Sequence, residues 1–422
     1  MKKSFEANSF LLFILMMTAN ACNYLFQIVM GRLLTNVNDY AVVNTLLSLI
    51  MYFSIPNTIV LTLSAKYIAH FTALQDNRNL VAVLRFLLKL SFIIGFVELI
   101  VGLFASDSIN SVFVINSSGL VVMCIFISIT NLLVSISSGI LQGQQRFKEY
   151  GTQSIINAFV KLVGSICFVL LGYKLWGIMI SIFLGGVLAF VYCILPNLQL
   201  VPQIINCTTR FRVDRQVSIY IIETAVAQSC IIALTYGDML VVQALFPEEA
   251  GMYSSAMVIG KIAMYVSTAV VATLFPMVIE RHAQNKSTLS LFYKALLIGG
   301  GAAVAIALGM ICFGKYIIPI LFGSKYADAL LFLTPVSCFV IAVTFLTIVM
   351  NYSLAIENAL FFSVSTFISI VLVGVIIYFW HSSINSVLYI SALLLLLNAF
   401  INITQCIYVH TKTHREKINE LQ

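Results

Sequence analysis

Residues 10–32 read FLLFILMMTANACNYLFQIVMGR, after an opening MKKSFEANS. Two lysines, an apolar run and then Ala19-Asn20-Ala21-Cys22 have the outline of a secretory signal with its cleavage site. The apolar run does not stop there. Tyr24, Leu25, Phe26, Ile28, Val29 and Met30 carry it to Arg32, and no charge falls between Ser9 and Met30. The apolar part of a signal is about 7–15 residues, whereas a bilayer core takes about 20. A lipoprotein signal usually has Leu three places before its cysteine, where Ala19 stands here. The stretch therefore reads as a retained transmembrane helix.

The remainder of the chain agrees. Hydrophobic residues make up 61% and charged residues 9% of 422, against about a quarter charged in soluble domains. Apolar runs recur at roughly 9–30, 40–64, 86–106, 118–141, 152–172, 175–195, 217–246, 250–279, 290–313, 329–352, 358–380 and 384–409. Backbone groups in lipid must be satisfied within their own segment, which forces helices on these runs. The expected fold is an all-α membrane protein of twelve transmembrane helices.

Charge sets the orientation. Alternate connections, from Lys2–Lys3 through Arg210–Arg215 to Lys412–Lys417, hold seventeen lysines and arginines. The other connections hold only Arg32, Lys174, Lys315 and Lys325. This places both termini in the cytoplasm and the chain in the cytoplasmic (inner) membrane. The net charge of +7 is explained by topology and calls for no nucleic-acid partner. The stretch 66–89, which mixes basic and aliphatic residues, is expected to lie along the inner surface, with 314–329 as an outer counterpart.

Nine cysteines lie mostly within apolar runs, without C-x-x-C or clustered histidines, so they read as small buried hydrophobes rather than metal ligands or disulfides. No phosphate-cradling loop or catalytic motif appears. No metal, cofactor or enzyme activity is expected, and any transport draws on a gradient or on events elsewhere.

The chain also repeats itself. At an offset of 213, Tyr40, Met51, Tyr52, Ser54 and Leu61 match Tyr253, Met264, Tyr265, Ser267 and Leu274. Six helices separate the copies, an even number, so the two halves have parallel topology. The expected lobes are 1–212 and 213–422, joined by the polar linker 196–216.

Polar residues inside the runs form stripes at helical spacing. Helix 1 has Asn20, Asn23 and Gln27; helix 2 has Asn44, Ser48 and Tyr52. Helix 7 has Thr224, Gln228, Thr235 and Asp238, with Glu223 alongside; helix 8 has Lys261, Tyr265 and Thr268. Singly, such groups are commonly helix–helix glue. Charges weigh more, because an ion at mid-bilayer costs at least about 2.5–3.5 kcal/mol. Lys261, about 16 Å along its helix at about 1.5 Å per residue, lies near mid-membrane, and so does Lys161, on a face with Ser154, Asn157 and Ser165. Glu98 and Glu223 also sit inside runs. Either these charges pair structurally or they line a wet path. Arg32 at the outer end of helix 1 is an interfacial anchor or part of that path's mouth. Glu223 and Asp238 are candidates for ion coupling. Small residues at 185–186 and 299–303 permit close helix packing, and Pro56 and Pro276 are hinge candidates.

Several stretches resemble one family. GRLLTNVNDYAVVNTLLSL (31–49), GILQGQQRFKEYG (139–151), GDMLVVQALFPEEAGMYSSAMVIGKI (237–262) and LFGSKYADA (321–329) are similar to segments of the polysaccharide-export flippases. These are the O-antigen and capsule type of the multidrug/oligosaccharidyl-lipid/polysaccharide (MOP) exporter superfamily. The resemblance implies two six-helix lobes forming a V, with helices 1, 2, 7 and 8 lining a cavity. It implies as substrate an undecaprenyl-pyrophosphate-linked oligosaccharide for surface polysaccharide. Membrane lipids and polysaccharide polymerase or assembly proteins would be the further partners. Carried onto this chain, the cavity set is Asn20, Asn23, Gln27, Arg32, Asn44, Ser48, Tyr52, Lys161, Gln228, Lys261 and Tyr265. The sequence departs at Ala41, where the family usually has glycine, and in having few arginines for a pyrophosphate. Drug or metabolite antiporters and lipid II flippases are the rival transporters. The former usually carry a helix 1 carboxylate, and the latter two more helices. A scaffold for a glycan synthase is the non-transport rival, and it needs no charge at mid-membrane.

Overall fold

The computed structural model describes residues 2–195, 200–206, 209, 211, 215–284, 286–356 and 358–421. They are helical almost throughout, and no strand occurs among them. The chain divides into two compact units, residues 1–221 and 222–422. The boundary expected at 212/213 falls on residues 212–214, outside the described residues.

The first unit contains α1 (Lys2–Leu33), α2 (Val37–Phe53), α3 (Ile55–Ala73), α4 (Asn77–Phe113), α5 (Ser118–Gly143), α6 (Phe147–Leu170), α7 (Lys174–Ile194) and the short α8 (Leu200–Asn206). Its core lies where α3, α4 and α5 meet, around Val60, Leu63, Leu84, Leu87, Leu132 and Ile136. On the other side, α6 packs against both α1 and α7.

The α9 helix (Arg215–Leu245) leads into the second unit, followed by α10 (Ala250–Ala283) and α11 (Leu289–Ala295). A π-helical turn, Leu296–Gly300, joins α11 to α12 (Gly301–Phe322). A 3-10 segment, Ser324–Ala329, then leads into α13 (Leu330–Ala355), α14 (Leu360–Phe379) and α15 (Ile384–Leu421). Buried along almost its whole length, α13 packs against α10, α12 and α15. A hydrogen-bonded ladder ties α14 to α15: Asn398 donates to Thr366 at 3.1 Å and Asn402 to Ser365 at 2.9 Å.

Every apolar run of the sequence is a helix here, with three differences of shape. The run 40–64 is two helices bent by 47° at Ser54, with Pro56 in the first turn of α3. The stretch 66–89 is not a separate segment: α3 continues to Ala73, a turn of three residues follows, and α4 starts at Asn77. Asp76 caps α4 by accepting the Asn79 backbone N–H at 3.0 Å, a bond that holds its carboxyl below the usual carboxylate range. Of the stretch 314–329, residues 314–322 extend α12 and residues 324–329 are the 3-10 segment. The linker 196–216 is only partly described, but its described part is docked on the first unit. Phe211 stacks edge-on against Tyr67 at 4.7 Å and lies 5.7 Å from Phe86, and Arg78 donates to Thr209 at 2.9 Å.

Among the described residues, ten helices are long and apolar enough to cross a membrane, eleven with the bent pair. Faces turned away from the units carry large apolar side chains such as Phe92, Phe96, Phe104, Leu297 and Phe379, as lipid contact demands. The chain is a multi-pass membrane protein.

Candidate functional site

Among the described residues, Lys315 and Lys325 lie over the rings of their own chain neighbours, Tyr316 and Tyr326, whereas each unit holds one lysine against an aromatic ring of a neighbouring helix. In the first, Lys161 reaches from α6 to α1, where its ammonium lies 4.7 Å from the centre of the Phe26 ring and donates to Asn23 Oδ1. The next residue, Gln27, accepts the hydroxyl of the fully buried Tyr40 from α2 at 3.4 Å. Spacings of three and one along α1 put Asn23, Phe26 and Gln27 together, so one turn presents a carbonyl, a ring and an amide.

In the second unit, Lys261 of α10 lies 4.6 Å from the centre of the Tyr236 ring on α9. Two residues on, Asp238 accepts the hydroxyl of buried Tyr253 at 2.5 Å. Its other oxygen, Oδ1, is buried with no hydrogen-bond partner. Asp238 and Lys261 feel each other's charge but do not close to an ion pair. Among the described residues the one ion pair within 4 Å is Arg146–Glu149.

The two constellations share a plan. A lysine sits on a ring of the unit's first helix, and a buried tyrosine of the next helix bonds a polar group beside that ring. Tyr40 and Tyr253 are one of the five pairs matched in the internal repeat. The lysines are not repeat-related, since one comes from α6 and the other from α10.

Ring contact offsets part of the cost of burying an ammonium, about 0.5–2 kcal/mol. It uses none of the three N–H donors of lysine. Lys161 spends one donor on Asn23, and among the described residues Lys261 has no carboxylate in ion-pair range, so both retain N–H donors.

The other expected site residues lie elsewhere. Asn44 and Ser48 are buried and bond back to their own helix, to Tyr40 O at 3.0 Å and Asn44 O at 2.9 Å, the local use of helix polar groups. Tyr52, Gln228 and Glu223 are half-buried, and Asn20 and Arg32 are exposed, as is Tyr265 at 45%. The side chains of Thr224, Thr268 and Pro276 lie outside the described residues. Sequence reasoning missed Phe26 and Tyr236 as lysine partners, because an aromatic in an apolar run carries no polar signal. The repeat marked Tyr40 and Tyr253 without showing what they bond.

The glycines of GILQG have a packing role. A Cβ at Gly139 would meet Ser64 Cβ at 2.0 Å, and one at Gly143 would come within 2.9 Å of Ala69 N. The two glycines, four residues apart, let α5 lie against the α3 backbone, as small residues do in membranes.

Comparison with known proteins gives a family and a fold. Residues 74–331 match the family model described as polysaccharide biosynthesis protein. No curated protein matches over its sequence. Among solved structures, an inward-facing multidrug resistance MATE family transporter of the MOP superfamily superposes with a TM-score of 0.73 at 14% identity, covering 94% of this chain and 95% of that one. A MATE in the straight conformation gives 0.68 at 15%, covering 98% and 97%. A MATE in complex with MaL6 gives 0.68 at 15%, covering 97% of each chain. The fold is thus of the MOP type.

Proposed function

From the premise that the chain belongs to the polysaccharide biosynthesis protein family, we propose that it carries an undecaprenyl-pyrophosphate-linked oligosaccharide from the inner to the outer leaflet of the cytoplasmic membrane. The carrying observation is the pair of lysines, Lys161 and Lys261, each held on an aromatic ring inside membrane helices with donors unspent. A pyrophosphate is the anion such cations suit, and a scaffold would have no use for them.

In this reading Lys161 with Asn23 and Gln27 is the first unit's candidate set for the headgroup, and Lys261 is the second unit's own candidate. Gln228, Tyr265, Tyr52, Asn20 and Arg32 are the further candidates along its path. Asn44 and Ser48 shape α2 rather than touch substrate. Asp238, with one buried oxygen unmatched and a cation nearby, is the better candidate for ion coupling; Glu223, half-buried on the same helix, is the second.

The test is flipping of a fluorescent undecaprenyl-pyrophosphate glycan by protein in vesicles, with proton or sodium gradients imposed separately. Lys261→Ala and Lys161→Ala, at normal abundance, should each slow flipping at least about tenfold. Losing one charge-assisted hydrogen bond, about 1.5–3 kcal/mol, has that size. Asp238→Asn should lose the gradient dependence. Wild-type rates in both lysine variants would remove the headgroup assignment, and ethidium efflux without glycan flipping would favour a drug antiporter.

A further inference from the structure

We propose that Glu98, Ser128 and Asn57 form a cation site within the first unit, taking a proton or Na⁺, separate from both lysine constellations. One face of α4 carries Phe92, Phe96 and Phe104 outward. The opposite face, Ser91, Gly95, Glu98, Gly102 and Ser106, is small except at Glu98. A Cβ on Gly95 would lie 3.5 Å from Ile129, and one on Gly102 would overlap Ile125 at 1.9 Å. Glu98 falls between these contacts and therefore faces Ser128 on α5, whose hydroxyl lies beside its carboxyl.

Both carboxyl oxygens of Glu98, Ser128 Oγ and Asn57 Oδ1 are buried without a well-formed hydrogen bond, and the one group acting on the Glu98 carboxyl is the Ser128 hydroxyl beside it. Ser128 is 0% and Asn57 5% exposed. The Asn57 amide donates to the Ser128 carbonyl at 3.3 Å, which anchors that side chain at the same point of α5. Three helices thus bring four buried oxygen atoms to the Ser128 position of α5, none of them in a well-formed hydrogen bond, a rare condition for buried polar groups. Among the described residues, no basic side chain forms an ion pair with Glu98. Cys124, one turn away on α5, turns its thiol to the Leu46 carbonyl at 3.7 Å. Lys66 and His70 lie two and three turns beyond Asn57 on α3, and Lys89 lies nine residues before Glu98 on α4.

An all-oxygen set with one carboxylate and no counter-charge calls for a hard cation or a proton. Asn57 stands one turn past the 47° bend at Ser54, whose own hydroxyl is unmatched. An occupant would therefore join α4 and α5 to the chain at that bend.

Infrared difference spectra of the full-length protein in nanodiscs, without glycan, test this. Spectra are taken across pH in choline, and across Na⁺ at fixed pH. If a proton binds, the wild type shows a protonated-carboxyl band that titrates and is lost in Glu98→Gln. If Na⁺ binds, a Na⁺-induced carboxylate band is lost in the same variant. Asp238→Asn should retain the signal, which separates this site from the coupling proposed above. If Glu98→Gln does not accumulate, Ser128→Ala and Asn57→Ala, which keep the carboxyl, should shift the same band. A Glu98 band unchanged at every pH and Na⁺ concentration, or no band assignable to Glu98, overturns the proposal.

Discussion

The tyrosines of the two constellations make unequal bonds, and the difference is measurable. Tyr253 donates to a carboxylate at 2.5 Å, whereas Tyr40 donates to a neutral amide at 3.4 Å. Hydrogen bonds to charged groups contribute about 1.5–3 kcal/mol and neutral ones about 0.5–1.5. Tyr253→Phe would leave Asp238 without its hydroxyl donor, so it should destabilise the protein by about 2 kcal/mol and Tyr40→Phe by about half that. Thermal unfolding in detergent, read for both variants side by side, checks the order. Equal losses would mean that Tyr253 contributes packing alone. The sequence exposed Lys161, Lys261, Asp238 and Glu98 because ions are rare in apolar runs. It could not show which of Asn20, Asn23 and Gln27 holds the lysine, since all three share one stripe.

At the level of elements, the helices were legible because lipid leaves the backbone no alternative. Their joints were less so. Hydropathy averages across the bend at Ser54, although Pro56 announced it, and the charges of 66–89 hid two helix ends behind a surface-like composition. The glycine pair on α5 gives a prediction at this scale. Gly143→Ala forces a Cβ to within 2.9 Å of the α3 backbone and should cost about 1–3 kcal/mol, as overpacking does. Gly301→Ala, with nothing within 4 Å of its Cβ, is the control and should unfold no earlier than wild type. Equal midpoints for the two variants would show that α5 has room to move off α3.

For the whole molecule, the asymmetry of seventeen basic residues against four predicts sidedness. A fluorescent protein fused after Gln422 should mature in the cytoplasm. Alkaline phosphatase fused in the turn at Gly172–Lys174 should be active on the far side. A dark first fusion with an active phosphatase after Gln422 would invert the topology. The contact by which Phe211 fastens the linker to the first unit had no signal in the sequence, because one aromatic in a polar linker names no partner.

The hydrogen bond from Lys161 to Asn23 also bears on how the protein is made. Its partners are 138 residues apart, and the span of α1 is the least apolar of those described. At about 5–20 residues per second, a ribosome needs on the order of ten seconds to deliver α6 after α1 has emerged. During that interval the amides of the nascent first helix face the translocon and its lipid without their ammonium. The side chains that equip the finished first unit thus enter the membrane before the ammonium that pairs with them has been made.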